Sequence, residues 1–423
     1  MKNKIWLQAV SVVLFFTAFS LQGCIKDSVQ KTYTYTLYRP VYKTSAEVRA
    51  NIKSNPQKPV AQPGKLFIKD QYIFLNEVDK GVHIIDNSNP AAPRNVAFID
   101  IPGNVDIAVK GNVLYADLYT DLVAIDITNP LQSKVTHIVE DVFPHRQYNA
   151  YFMMDTTKII TEWVIKDTTV TEKYVPGRWA AVDNSGIVFA NVRPGTSPMA
   201  SARGSVAMGG SMARFTIVND RLYTVGSYEL TVFNISNSVE PAYITETNVG
   251  MNIETIFPFK DRLFIGSSNG MYIYSIANPN APQKLGQFSH VRSCDPVIAD
   301  DAYAYVTLRS GTACMGFTNQ LEVLNINNLM QPSLVKTYQM TNPHGLSKDG
   351  NLLFICDGRD GLKMYDATQP ANLKLLHTIG NMETFDVIAY NGLALVVAKD
   401  GLYQYDYKDR QNVKLLSKLS IAL

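Results

Sequence analysis

Seven polar residues stand at the openings of apolar runs along this 423-residue chain: Lys65, Asp106, Arg214, Glu254, Asp295, His344 and Asp386. Their spacing is close to 41 residues, stretched to 108 between Asp106 and Arg214 and to about 50 before His344-Gly345. Gathered around one axis, four acids beside two bases and a histidine would form a polar funnel. Such a funnel suits a cation, a sugar or a basic side chain. The same set could instead pair internally and close the axis with salt bridges, or stand as solvated acids at strand starts.

Other reactive patterns are weaker. Asp86, Asp126, Asp366 and Asp406 end apolar runs just before turns, where a carboxylate accepts hydrogen bonds from the following amides. That reading is favoured over metal ligation. The stretch Asp357-Gly358-Arg359-Asp360-Gly361 lacks the oxygen ligands and closing glutamate of a calcium loop and reads as a hairpin turn. The six histidines are scattered, with no His-Glu-x-x-His or Cys-x-x-Cys spacing. The glycines near Gly209 are not followed by the lysine of a phosphate loop. No catalytic residue, metal or cofactor is therefore assigned.

The elements that would position these residues repeat. Each copy opens with an apolar strand, turns at Asp, Asn or Gly, and continues into a second strand, as in Val109-Lys110-Gly111-Asn112-Val113 and Tyr390-Asn391-Gly392-Leu393. A third strand ends in a phrase such as Gly361-Leu362-Lys363-Met364-Tyr365-Asp366, and a proline turn leads to a fourth. Four short strands every 40–45 residues are the pattern of a β-propeller, because one such sheet cannot bury both faces alone. The count predicts about seven blades over residues 64–423. Eight are possible if the insertion at about 146–212 holds a degenerate blade. That insertion reads as a hairpin with strands near 158–165 and 170–175 and a turn at Lys166-Asp167-Thr168, followed by a Pro-, Gly-, Ser- and Met-rich loop.

Ahead of the repeats, Lys2 and Lys4 precede an apolar stretch from Ile5 to Phe19, too short to span a bilayer comfortably. It leads to Leu21-Gln22-Gly23-Cys24, which resembles the bacterial lipobox. Residues 1–23 are thus expected to be a signal peptide and Cys24 a lipidated N-terminus that anchors the protein to the outer membrane, facing the periplasm or the cell surface. Residues 24–63 are expected to form a tether, a strand over 33–42 and a short helix over 44–54. Without residues 1–23 the chain carries 37 basic and 37 acidic residues. A neutral surface argues against nucleic acid as a partner. Cys294 and Cys314 flank one hairpin and are the preferred disulfide pair in an oxidising compartment, while Cys356 lies in an apolar run and reads as a buried thiol.

The phrase Gly361-Leu362-Lys363-Met364-Tyr365-Asp366-Ala367-Thr368-Gln369-Pro370 and its copies resemble the LVIVD-repeat family, found among Bacteroidetes lipoproteins. Ser293-Cys294-Asp295-Pro296, with Ala304 to Arg309 and Cys314, resembles that family too. The resemblance covers about residues 64–423. It implies a propeller and an envelope location, and supplies neither an activity nor catalytic residues. The functional expectation is a binding module for a protein or glycan partner. The alternatives are a hydrolase or lyase acting on a glycan or small molecule at the acidic mouth, and a scaffold in an outer-membrane assembly that docks through the 146–212 insertion.

Overall fold

In the computed structural model, residues 30–143, 158–173, 188–190, 211–291, 296–311 and 316–421 are described. Seven four-stranded antiparallel sheets follow one another along the chain, making an all-β, seven-bladed propeller. The blades span residues 63–100, 107–139, 215–248, 253–289, 297–339, 346–379 and 384–420. Within each, the strands pair in sequence order, and the first strands of neighbouring blades touch, which puts them innermost. Blade 1 gains a short outer strand, Ser54–Asn55, paired with Arg94–Asp100.

The chain forms two compact units. The larger, residues 40–163 and 196–423, contains the propeller and the helix Ser45–Asn51. That helix starts at a capping box, in which the Thr44 hydroxyl accepts from the Glu47 amide and the Glu47 carboxylate accepts from Thr44 N. The smaller unit, residues 1–39 and 164–195, is built on a three-stranded sheet with Gln30–Lys43 between Ile159–Lys173 and Val188–Ala190. The predicted turn at Lys166-Asp167-Thr168 is absent, because Ile159–Lys173 runs as one strand. The segment has no glycine or proline, is rich in β-branched residues, and has its backbone paired by another strand, so nothing forces a reversal.

Because both faces of a blade are covered, the second strands are buried almost throughout rather than on alternate residues. Val113–Leu118 and Leu352–Cys356 are buried at every position. The core runs between blades. Phe264, Met271 and Ile273 of blade 4 pack on Val297, Val306 and Leu324 of blade 5, each side chain contributing about 1.5–3 kcal/mol by leaving water. Among the described residues the ring closes without strand exchange. Ile388, Leu395, Val397 and Leu402 of blade 7 share a core with Leu66, Ile73 and Ile84 of blade 1, and paired amide hydrogen bonds join Asn87 to Gln404.

The repeated phrase is a structural clamp. The last residue of every third strand accepts the amide two residues on: Asp86, Asp126, Asn234, Ser275, Asn325, Asp366 and Asp406, at 2.9–3.2 Å. The proline turn that follows offers its carbonyl to a neighbouring blade. Pro90 O accepts from Ser417 Oγ, Pro279 O from Tyr223 OH and Pro370 O from Tyr338 OH. Asp126→Ala should therefore cost about 1 kcal/mol in urea unfolding, whereas Asp126→Asn should be close to neutral, since Asn234 and Asn325 do the same work in other blades.

Candidate functional site

The seven-residue series converges only in part, and its centre is filled. Lys65 and Asp106 open the first strands of blades 1 and 2 and are fully buried, with Nζ and Oδ2 3.1 Å apart. The same Asp106 oxygen accepts the amides of Arg214 and of Phe215 (3.0 Å), where blade 3 begins, while Oδ1 accepts from Ile107 N at 2.7 Å. One carboxylate thus ties three blades. Asp106 in turn is positioned by Asp117 and Asn104. Asp117 Oδ1 accepts from Asp106 N, and Asn104 Nδ2 donates to Asp106 O and to Asp117 Oδ1.

Residues 211–213 cross this centre and were not singled out by sequence. Ser211 Oγ accepts from Leu346 N of blade 6 at 2.8 Å, Met212 O accepts from Lys65 Nζ at 2.7 Å, and Ala213 O accepts from Ile256 N of blade 4 at 2.7 Å. All three residues are buried. A Pro-Gly-Ser-Met composition gave no hint of it, because the signal lies in where the backbone carbonyls point.

Burial drives both members of the pair toward neutrality. It lowers the Lys65 ammonium to about 8 against the opposing pull of Asp106, and it raises the Asp106 carboxyl although Lys65 and two amides counter it. A lysine whose folded value lies below the unfolded ~10.4 binds fewer protons in the fold between about pH 8 and 10. Its contribution to stability therefore rises as pH climbs through that window and is lost as pH falls through 8. Stability curves from pH 7.5 to 10 should show this rise in the parent and lack it in Lys65→Met.

Arg214 and Glu254 are half-buried, and Arg214 Nε donates to the Glu254 carbonyl at 3.3 Å. Asp386 is buried beside Gly345, where a Cβ would meet its Oδ1 at 2.0 Å. His344 belongs to a second cluster. Arg309 Nη1 donates to its Nδ1 at 2.8 Å, Asn342 Nδ2 lies 3.2 Å from Nε2, and Phe385 meets the ring edge-on at 5.4 Å. Below it Lys363 pairs with Asp357 (2.5 Å) and Asp360 (3.2 Å). Burial would lower Lys363, but the two carboxylates outweigh it and raise the ammonium. Asp295, Cys294, Cys314 and Cys24 lie outside the described residues. Cys356 is fully buried, and burial pushes its thiol well up. Among the described residues, no group of three or more His, Cys, Asp or Glu side chains is placed to hold a metal.

The family model described as LVIVD repeat matches residues 64–98 and 103–137, the spans of blades 1 and 2. No curated protein matches the chain. Solved structures match across the propeller. The periplasmic gluconolactonase PpgL of Pseudomonas aeruginosa superposes with a TM-score of 0.53 at 10% identity, covering 92% of this chain and 97% of that one. Sqt1 of Saccharomyces cerevisiae gives 0.51 at 8%, covering 88% and 90%. A protein from Lactobacillus plantarum gives 0.50 at 13%, covering 82% and 97%. At these identities the likeness is one of fold alone.

Proposed function

We propose that this LVIVD-repeat propeller is a lipid-anchored envelope protein, held to the outer membrane through Cys24, that acts as an interaction module for a protein or glycan partner. The observation that carries this reading is the filled axis. With Lys65 and Asp106 paired and Ser211 to Ala213 packed across them, the hydrolase or lyase reading lacks an open mouth among the described residues, and recognition falls to the loop faces. One face supports it. Tyr228, Met251, Val291 and Phe317 are exposed there, Phe317 at 98%, all on loops where second strands end or a new blade begins. Backbone hydrogen bonds from Val249 N to Tyr228 O, Ser268 N to Asn252 O and His290 N to Asn269 O tie those loops from blade 3 to the start of blade 5. The scaffold alternative depends on the 146–212 insertion, most of which lies outside the described residues.

The test is crosslinked affinity purification from intact cells, comparing the parent with Met251→Glu/Phe317→Ser and, on the opposite face, Met330→Glu. A partner lost only from the first variant is the expected result. Equal recovery from all three would sink the choice of face. Recovery of no protein, together with no binding to envelope glycans, would sink the module itself. Cys24→Ser should move the protein from the membrane to the soluble fraction.

A further inference from the structure

The fourth strand of each blade pairs with the third through one bulge. In three blades the residue just past that bulge meets the turn that follows the third strand of the next blade. In blade 6, His377 Nε2 bonds to Arg410 O at 2.6 Å, and in blade 7, Ser417 Oγ donates to Pro90 O at 2.6 Å. In blade 4 the residue is Gly286, where a Cβ would lie 2.1 Å from Leu329 O, so the two backbones are in contact. Blades 1, 3 and 5 carry Ala97, Thr245 and Lys336 at this position, and blade 2 carries a histidine. The side chain of that histidine, His137, makes no hydrogen bond among the described residues. Instead a cleft of about 440 Å³ separates it from the turn of blade 3, lined by His137, Asn237, Glu240 and Tyr243 among others. Deeper clamps keep these blades together, from Tyr115 OH to Ser238 O at 2.7 Å and from Lys110 Nζ to Ile235 O at 2.8 Å.

Tyr243 breaks the repeat. At its position the other blades carry Asn95, Val135, Lys284, Leu334, Leu375 and Leu415, none aromatic. Its ring is half exposed and held edge-on against the buried Phe233, with centroids 6.2 Å apart at 80°. Such a ring is a preorganised apolar platform, and its fixed posture lowers the entropy lost on binding. Around it stand an imidazole, a primary amide and a carboxylate, which together donate to and accept from hydroxyls. Among the described residues no lysine or arginine lines the cleft, and Glu240 repels anions.

We propose that this cleft between blades 2 and 3 is a binding site for a neutral pyranose ring, the apolar sugar face lying on Tyr243 and the hydroxyls reaching His137, Asn237 and Glu240. The inference rests on the interaction-module reading and deepens it to a glycan, at a site apart from the apolar loop face. Saturation-transfer NMR and calorimetry on the full chain, with methyl hexopyranosides, N-acetylhexosamines and their β-linked disaccharides, test it. At least one probe should bind with a millimolar Kd, Tyr243→Ala should weaken it about tenfold or more, and Tyr243→Phe should retain most of it. His137→Ala should weaken it about three- to tenfold, while His377→Ala, which removes a blade clamp elsewhere, should leave it unchanged. Binding by no neutral sugar, binding indifferent to Tyr243→Ala, or tighter binding of hexuronic acids would each overturn the site. A protein partner captured on the apolar loop face with no sugar bound here would remove this cleft and leave the module reading intact.

Discussion

Asp106→Ala should cost the propeller about 3–5 kcal/mol and lower its Tm by roughly 5–15 °C. Two losses add. The Lys65 ammonium, fully buried and 3.1 Å from the carboxylate, is left without its counter-charge. The amides of Arg214 and Phe215 lose their acceptor at the first turn of blade 3. Lys65→Met should cost less, because Asp106 keeps both amides and the buried ammonium is gone. The double variant should recover part of the Asp106→Ala loss, and the coupling in that cycle measures the pair directly. Asp106→Asn retains an acceptor and should fall in between. A loss under about 1 kcal/mol for Asp106→Ala, measured by urea unfolding, would mean the carboxylate is not a structural centre. It would then return to candidacy as a ligand-binding group.

Gly361→Ala should be nearly as damaging, at about 3–5 kcal/mol. Gly361 has a φ of +81°, and a Cβ there would lie 2.0 Å from the Ile379 carbonyl on the fourth strand of the same blade. The backbone conformation alone costs an L-residue about 1–2 kcal/mol, and the rest comes from displacing a paired strand. Gly350 is the internal control. Its φ is +57°, but nothing lies within 4 Å of its would-be Cβ, so Gly350→Ala should show only the conformational cost. Gly81 faces Ile99 O at 2.0 Å and Gly270 faces Phe288 O at 2.5 Å, so the same vulnerability recurs at the start of third strands. Thermal unfolding of Gly361→Ala beside Gly350→Ala separates the two terms, and equal losses would refute the carbonyl contact.

These glycines mark the boundary of what a sequence can say. The Asp-Gly pairs are correctly read as turns, since positive φ is a local requirement. That Gly361 must also let a carbonyl pass is not local, because Ile379 is brought to it by strand pairing. The same holds at residues 166–168. Lys-Asp-Thr suits a turn in isolation, and pairing with Gln30–Lys43 overrides it by satisfying the backbone along one edge.

Blade number, strand order and the Asp-terminated turns were legible because each depends on contacts within about 45 residues, and repetition prints the same local solution many times. The spacing of Lys65, Asp106, Arg214, Glu254 and Asp386 likewise put them at the inner strand starts. Whether they would face an open funnel or bond to one another was decided by tertiary structure. It depended on residues 211–213, about 147 positions from Lys65 along the chain, folding back over the axis. The cleft beside Tyr243 was invisible for the same reason, since it exists only where two blades meet. Sequence by itself determined the repeat, which is local hydrogen bonding and hydrophobic alternation. Only the closed ring decided which polar groups lost water and paired and which kept it, because desolvation is a property of the assembled propeller.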